Sequence, residues 1–401
     1  MIDDALLDII IAVIKAALVM GALLQLAALT TWIERKVSAL IQDRIGANRA
    51  AIFGFPLAGL INTLVADPIK AIFKEDFVPK GVSPLIHALA PFLAVLPILL
   101  SFAVIPFGPS LHIGGKEITL QLAHLDVGIL YVFAMGSLAV YGVVLAGWVS
   151  NNKFALFGGL RASAQMISYE VVLGLSIVPL LVIYQTLDLQ AITLAQGQLL
   201  HIFGVPVPAW GIVLCPVGFL LFFAAMMAET KRAPFDLPES ESELVAGYFT
   251  EYSGMKFLLF WLGEFAEIVV CSTLITLLFF GGWQLPYLDV ASITPTWGGI
   301  LPEWFSRVGF QWGPLVGAAV LGAKVSFFCI LQVVIRWTLP RFRYDQLMSL
   351  CWKIMLPIAL VNLFVTLTVV LWNATNGLSG NGGMDPYTMG MVHGAQPVAV
   401  R

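Results

Sequence analysis

Long apolar runs recur along this chain and restrict what it can fold into. They cover residues 5–33, 84–107, 126–149, 162–186, 210–229, 255–281, 314–337 and 348–372. A bilayer-spanning helix needs about 20 mostly apolar residues, and inside lipid every backbone amide must be bonded within a helix or a closed barrel. The runs are continuous, without the period-two alternation of a barrel strand. The predicted fold class is therefore all-α, a polytopic integral membrane protein with about eight transmembrane helices. No internal repeat is visible, which argues against an inverted-repeat transporter. The first run opens on Asp3, Asp4 and Asp8 where a signal peptide would be basic, and it is too long for one, so it is expected to be a retained span. Composition agrees. Only 11% of the 401 residues are charged and 59% are hydrophobic, whereas a soluble domain carries about 25% charge. The net charge of −3 offers no footprint for nucleic acid.

The few charges are distributed by side. Sixteen of the 21 basic residues fall in one set of connecting segments and three (Lys116, Arg307, Arg401) in the opposite set. By the positive-inside rule the first set is cytoplasmic, and both termini face outward. Residues 1–372 are then one transmembrane domain, with cytoplasmic segments 34–83, 150–161, 230–254 and 338–347. Residues 373–401, rich in Gly and polar residues, are expected to form a flexible tail.

Three cytoplasmic segments are more structured than connections require. In 34–83, Leu57, Leu60, Ile61, Leu64, Val65, Ile72 and Phe73 recur at helical spacing, which predicts an interfacial amphipathic helix. Asp67 is expected to cap a restart at Pro68, which sets Asp67, Lys70 and Lys74 on one face. In the second segment, Asp236, Glu239, Glu241, Glu243 and Glu251 lie within 16 residues and Glu229 just precedes them. Carboxylates this close repel, and any that are buried become candidate proton carriers. A solvated acidic loop is the plainer alternative, but Pro234 and Pro238 stiffen the frame around Phe235. The third, Arg336 to Asp345, suits anionic headgroups or an acidic partner.

Five charges fall inside predicted spans: Lys15, Glu170, Glu264, Glu267 and Lys324. Such groups usually face a bundle interior or wet cavity. Lys15 is expected to snorkel to the interface, whereas Glu170 and Lys324 read as functional. Glu264 and Glu267, spaced i, i+3, share a helix face. The five histidines show no ligand spacing, the four cysteines no CxxC pair, and no nucleotide-binding or HExxH motif occurs. No metal site is expected, and any electrons would be carried by other subunits.

The segment Glu229-Thr230-Lys231-Arg232-Ala233-Pro234-Phe235-Asp236-Leu237-Pro238-Glu239-Ser240-Glu241-Ser242-Glu243-Leu244-Val245-Ala246-Gly247 closely resembles the hallmark loop of the membrane H-subunit family of proton-pumping NADH-quinone oxidoreductase, respiratory complex I. Trp32-Ile33-Glu34-Arg35-Lys36, Asp43 to Arg49, Asp67 to Asp76, Ser168-Tyr169-Glu170 and Leu339 to Gln346 are similar to further family segments. The resemblance spans about residues 20–372. The chain departs from the family at Leu60, Thr63, Ser240 and Glu267.

The resemblance implies a membrane subunit that docks the peripheral arm, forms much of a quinone tunnel and links it to proton pumping. It implies Glu34, Arg35, Lys36, Asp67, Lys70 and Phe235 at the tunnel or its interface. It implies Glu170, Glu229, Asp236, Glu239, Glu241, Glu243 and Glu251 as proton-coupling acids. Quinone would be substrate, and NADH, FMN and iron–sulfur clusters would belong to partner subunits of the membrane and peripheral arms. The implied location is the bacterial inner membrane. Two alternatives stay open, a related anchor subunit of a membrane-bound hydrogenase or formate hydrogenlyase, and a stand-alone ion transporter.

Overall fold

The computed structural model describes residues 4–48, 51–52, 55–56, 59–113, 116–202, 205–238, 245–288 and 313–377. Glu239, Glu241 and Glu243, and the tail beyond Gly377, lie outside the described residues. The chain runs through α1 (Asp4–Ile41), a wide helical turn (Asn62–Ala66) that continues into α2 (Asp67–Phe73), α3 (Pro84–Ser101), α4 (Gly128–Val149), α5 (Lys153–Tyr184) and α6 (Leu189–Ala195). It continues through α7 (Gly211–Leu214), α8 (Pro216–Glu229), α9 (Gly254–Phe279), α10 (Gly313–Thr338), α11 (Tyr344–Ser349), a second wide turn (Leu350–Met355) and α12 (Leu356–Gly377). The described strands form three short antiparallel hairpins, 51–56, 111–118 and 199–208.

Among the described residues, seven helical segments are long and apolar enough to cross a bilayer. The protein is a multi-pass all-α membrane protein. The expected fifth span, 210–229, is broken in two. Pro216 cannot donate to the preceding turn, so α7 stops at Leu214 and α8 starts afresh with 14 residues. The expected segment 150–161 is also shorter as a connection, because the Asn152 side chain accepts from the Phe154 amide at 3.0 Å and starts α5 at Lys153.

The bundle is organised around α9, whose spanning stretch is 94% buried, against 6% for α1 and 11% for the last span. A helix apolar on every side belongs at a bundle centre. Small residues bring helices together. A Cβ on Gly142 of α4 would lie 2.3 Å from the Ala94 amide nitrogen of α3.

Two intramembrane cations hold loops. Lys15 donates to the carbonyls of Thr119 at 3.3 Å and Gln121 at 3.1 Å. Lys324, expected to be functional, donates to the carbonyls of Phe280, Gly282 and Gln284 at 2.7, 2.9 and 2.6 Å. Its ammonium ties down the chain after α9, which satisfies a half-buried cation with backbone acceptors. Asp67 also departs from expectation. Ala66 is already helical and no side chain caps α2, so Asp67 is left free to pair with Arg35. None of the side chains of α2 is buried in this chain, and Ile72 and Phe73 are exposed.

Gly142→Leu is expected to lower the denaturation midpoint of the solubilised protein, since overpacking a tight contact costs about 1–3 kcal/mol. Gly21→Ala, where a Cβ would meet nothing within 4 Å, is expected to leave it unchanged or raised. Circular dichroism on heating checks both.

Candidate functional site

Helices α1, α9 and α10 bring Glu34, Glu264 and Arg336 together, and the loop after α8 adds Lys231 and Arg232. Arg232 is the common partner. Its guanidinium lies 3.3 Å from a Glu34 oxygen and 3.4 Å from a Glu264 oxygen, over the Phe265 ring at 4.3 Å. Arg336 donates to the other Glu34 oxygen. Glu264 also accepts from the Tyr248 hydroxyl at 3.0 Å. One turn on, Glu267 Oε2 meets Lys231 Nζ at 3.2 Å.

The loop bearing these cations is fixed from three sides. Gln165 Nε2 donates to the carbonyls of Ala228 and Phe235, both at 2.8 Å. Phe235 is buried between Tyr169 and Phe342, with ring centres 5.8 and 5.6 Å away. The Phe342 amide donates to the Pro234 carbonyl at 3.0 Å. The expected second and third segments are thus one packed unit.

Four cavities follow one another through this region. One of ≈ 590 Å³ is lined by Asp67, Lys70, Lys74 and Leu258. It shares Arg35, Phe257 and Trp261 with a neighbour of ≈ 820 Å³ that is also lined by Glu34, Arg232, Phe249, Glu264 and Arg336. Glu264 passes to a third, of ≈ 260 Å³, with Lys231, Tyr248 and Glu267. Glu267 passes to a fourth, of ≈ 530 Å³, with Glu170 and Glu229 in an otherwise mostly apolar wall. At its far end the Ser137 hydroxyl donates to Glu170. Arg35 holds Asp67 at 2.7 Å and lies over the Trp261 ring at 5.8 Å.

Thus Glu34, Arg35, Asp67 and Lys70 line the first two cavities, and Glu170 and Glu229 the last. Phe235 anchors the loop. Asp236 is half-buried, and one of its oxygens has no hydrogen-bond partner among the described residues. Burial pushes its carboxyl up, with Arg336, Arg341 and Arg232 pulling the other way. Lys36 turns aside to the Ala47 carbonyl.

Glu251 lines none of the four cavities. The chain turns at Gly247, where φ is +60°, and Glu251 accepts from Asn152 Nδ2 at 2.8 Å at the mouth of α5. Sequence proximity to the acidic run therefore does not place it in the cluster. Lys231, Arg232, Arg336 and Trp261 escaped the sequence-based site. The available signal for the first two was their position, two cations directly after a buried helix in a charge-poor chain.

Residues 14–367 match the family described as NADH dehydrogenase. A Geobacter metallireducens protein, named as an H-subunit of NADH-quinone oxidoreductase, is 45% identical over 360 residues, 90% of this chain and 96% of that one. The H-subunit of the same enzyme from Thermomicrobium roseum is 43% identical over 91% of this chain and 97% of its own length. That of Bdellovibrio bacteriovorus is 42% identical over 89% and 95%.

Arg232→Leu is expected to cost about 3–5 kcal/mol, because it strips a buried cation from Glu264 and half the pairing from Glu34. Arg35→Leu, from a pair exposed 41% and 34%, is expected to cost about 0–1 kcal/mol. Denaturation of the purified variants measures the contrast.

Proposed function

The chain belongs to the H-subunit family of NADH-quinone oxidoreductase, and on that premise we propose that it forms the quinone tunnel and proton-coupling path of this translocase. It is a multi-pass membrane subunit of that enzyme complex. The observation that carries the proposal is a row of four neighbouring cavities, each sharing wall residues with the next, aromatic and cationic first, carboxylate-lined last. Pockets that take small molecules are about 300–1,000 Å³, apolar or aromatic with a few polar groups. The first two cavities share the aromatic part of that description, with Trp261, Phe257 and Phe249 as walls, and are more polar, with Arg35 and Lys70 among their charged groups.

In this reading the quinone headgroup is reduced beside Glu34, Arg35 and Asp67 by electrons from partner subunits. NADH, FMN and the iron–sulfur clusters belong to those partners, and this chain holds no redox centre. Reduction of a quinone to a quinol takes up two electrons and two protons. Negative charge developing on the headgroup raises the proton affinity of nearby carboxylates, strongly so in a low-dielectric site. Glu34 and Glu264 face that cavity, and Glu267, Glu229 and Glu170 continue the line away from it. Six described carboxylates (these five and Asp236) stand against four cations, Lys231, Arg232, Arg336 and Arg341. Like charges placed this close disfavour ionising every carboxyl of the line together. The family resemblance assigns Glu239, Glu241 and Glu243 to the same funnel. Lys36 and Glu251 serve the interface of the segments that hold it. The membrane is the bacterial inner membrane, and the further partners are the other membrane-arm and peripheral-arm subunits and lipid.

In the assembled enzyme, Glu229→Gln is expected to lower the rate of proton pumping by about tenfold and to spare NADH oxidation by a water-soluble acceptor. Trp261→Leu is expected to raise KM for quinone by about tenfold, the loss of one aromatic contact. Unchanged pumping in the first and unchanged KM in the second would remove both assignments. Dye quenching in vesicles, run beside quinone reductase assays, reads the two effects.

A further inference from the structure

Glu264 and Glu267 stand one turn apart on α9, and their settings differ. Glu264 opens on two cavities and is held by Tyr248 and Arg232. Glu267 meets Lys231 at 3.2 Å, with both side chains at most 10% exposed. Lys231 stands where φ is +54°, just past α8, and its ammonium lies 3.9 Å from Met166 Sδ. Burial alone would push that ammonium down, and the Glu267, Glu264 and Glu229 carboxylates outweigh burial and hold it raised. Lys231 is therefore a persistent buried cation with three acids in reach of its field. Glu229, two residues before it, has a buried oxygen without a hydrogen-bond partner among the described residues. The other titratable groups facing this region are Glu170 from α5, Cys271 from α9 and Tyr248.

A buried cation takes a carboxylate partner wherever one is within reach. If Glu267 did not occupy Lys231, the ammonium would turn to Glu229. That acid would be held ionised, because an opposite charge at contact distance favours the charged form. We propose that Glu267 is the dedicated counter-ion of Lys231 and carries no proton itself: it keeps the ammonium off Glu229, so that this carboxyl stays free to exchange protons. The inference rests on the acid line serving as the proton path.

The experiment compares four variants of the assembled enzyme in vesicles: Glu267→Gln, Lys231→Gln, the double variant with both changes, and Glu229→Gln as control. The rate of proton pumping is read beside quinone reduction, and NADH oxidation by a water-soluble acceptor reports assembly. Glu267→Gln is expected to lose pumping about tenfold, since the released ammonium pins an acid of the path. Lys231→Gln is expected to lose less pumping than Glu267→Gln, because an unpaired Glu267 neutralises itself by binding a proton. The double variant is expected to recover the pumping that Glu267→Gln loses. Normal pumping in Glu267→Gln, or a loss of about tenfold in Lys231→Gln or in the double variant, overturns the proposal. If Glu267→Gln does not assemble, the other two decide it by the same criteria. Normal pumping in the Glu229→Gln control would instead overturn the acid line itself, which separates the two failures.

Discussion

Arg232 holds Glu34 of α1 and Glu264 of α9 through one guanidinium, and Arg336 of α10 reaches the same Glu34. Each of these charges would be costly alone in a bundle of this hydrophobicity, and removing any one leaves another uncompensated. Their mutual dependence fixes the relative height of three helices and the path of the loop after α8. The Phe265 ring beneath Arg232 adds a cation–π contact in a desolvated setting. Further out, Gln165 and Phe235 hold the loop itself by hydrogen bonds and ring packing.

The cavities follow from this arrangement. A loop braced by prolines and paired arginines cannot pack as closely as two helices do, so space remains between it, α1 and α9. That space is walled by the rings of Trp261, Phe257 and Phe249 and by the charged groups that hold the loop. Further into the bundle the small residues of α3 and α4 bring the helices close, and the cavity lined by Glu264 and Glu267 is the smallest of the four. The last cavity, lined by Glu229 and Glu170, is larger again. The same economy of charge that makes the chain a membrane protein concentrates its charges along one row of cavities.

Much of the site was legible in the sequence for a specific reason. In a chain with so few charges, a carboxylate within an apolar run has to face a cavity or a partner, so Glu170, Glu264 and Glu267 announce themselves. Lys324 shows the limit of that logic. The same rule marks it, yet three backbone carbonyls after α9 satisfy it as a loop anchor. Glu251 shows another limit, because beyond the turn at Gly247 it pairs with Asn152 and lines none of the four cavities. The break at Pro216 was legible only as a proline near the end of a span, and the structure makes it a division between two helices.

The sequence alone determined the class of the molecule, through the length and continuity of its apolar runs, since lipid leaves helices as the one way to satisfy such a backbone. It also determined the family, through the proline-framed acidic loop. Tertiary structure alone decided which charges neutralise which. Glu34 and Arg336 are 302 positions apart in the chain, and Arg232 and Glu34 are 198 apart. Pairing at that separation depends on how α1, α9 and α10 are rotated and raised against one another, which side-chain packing sets and local sequence does not encode.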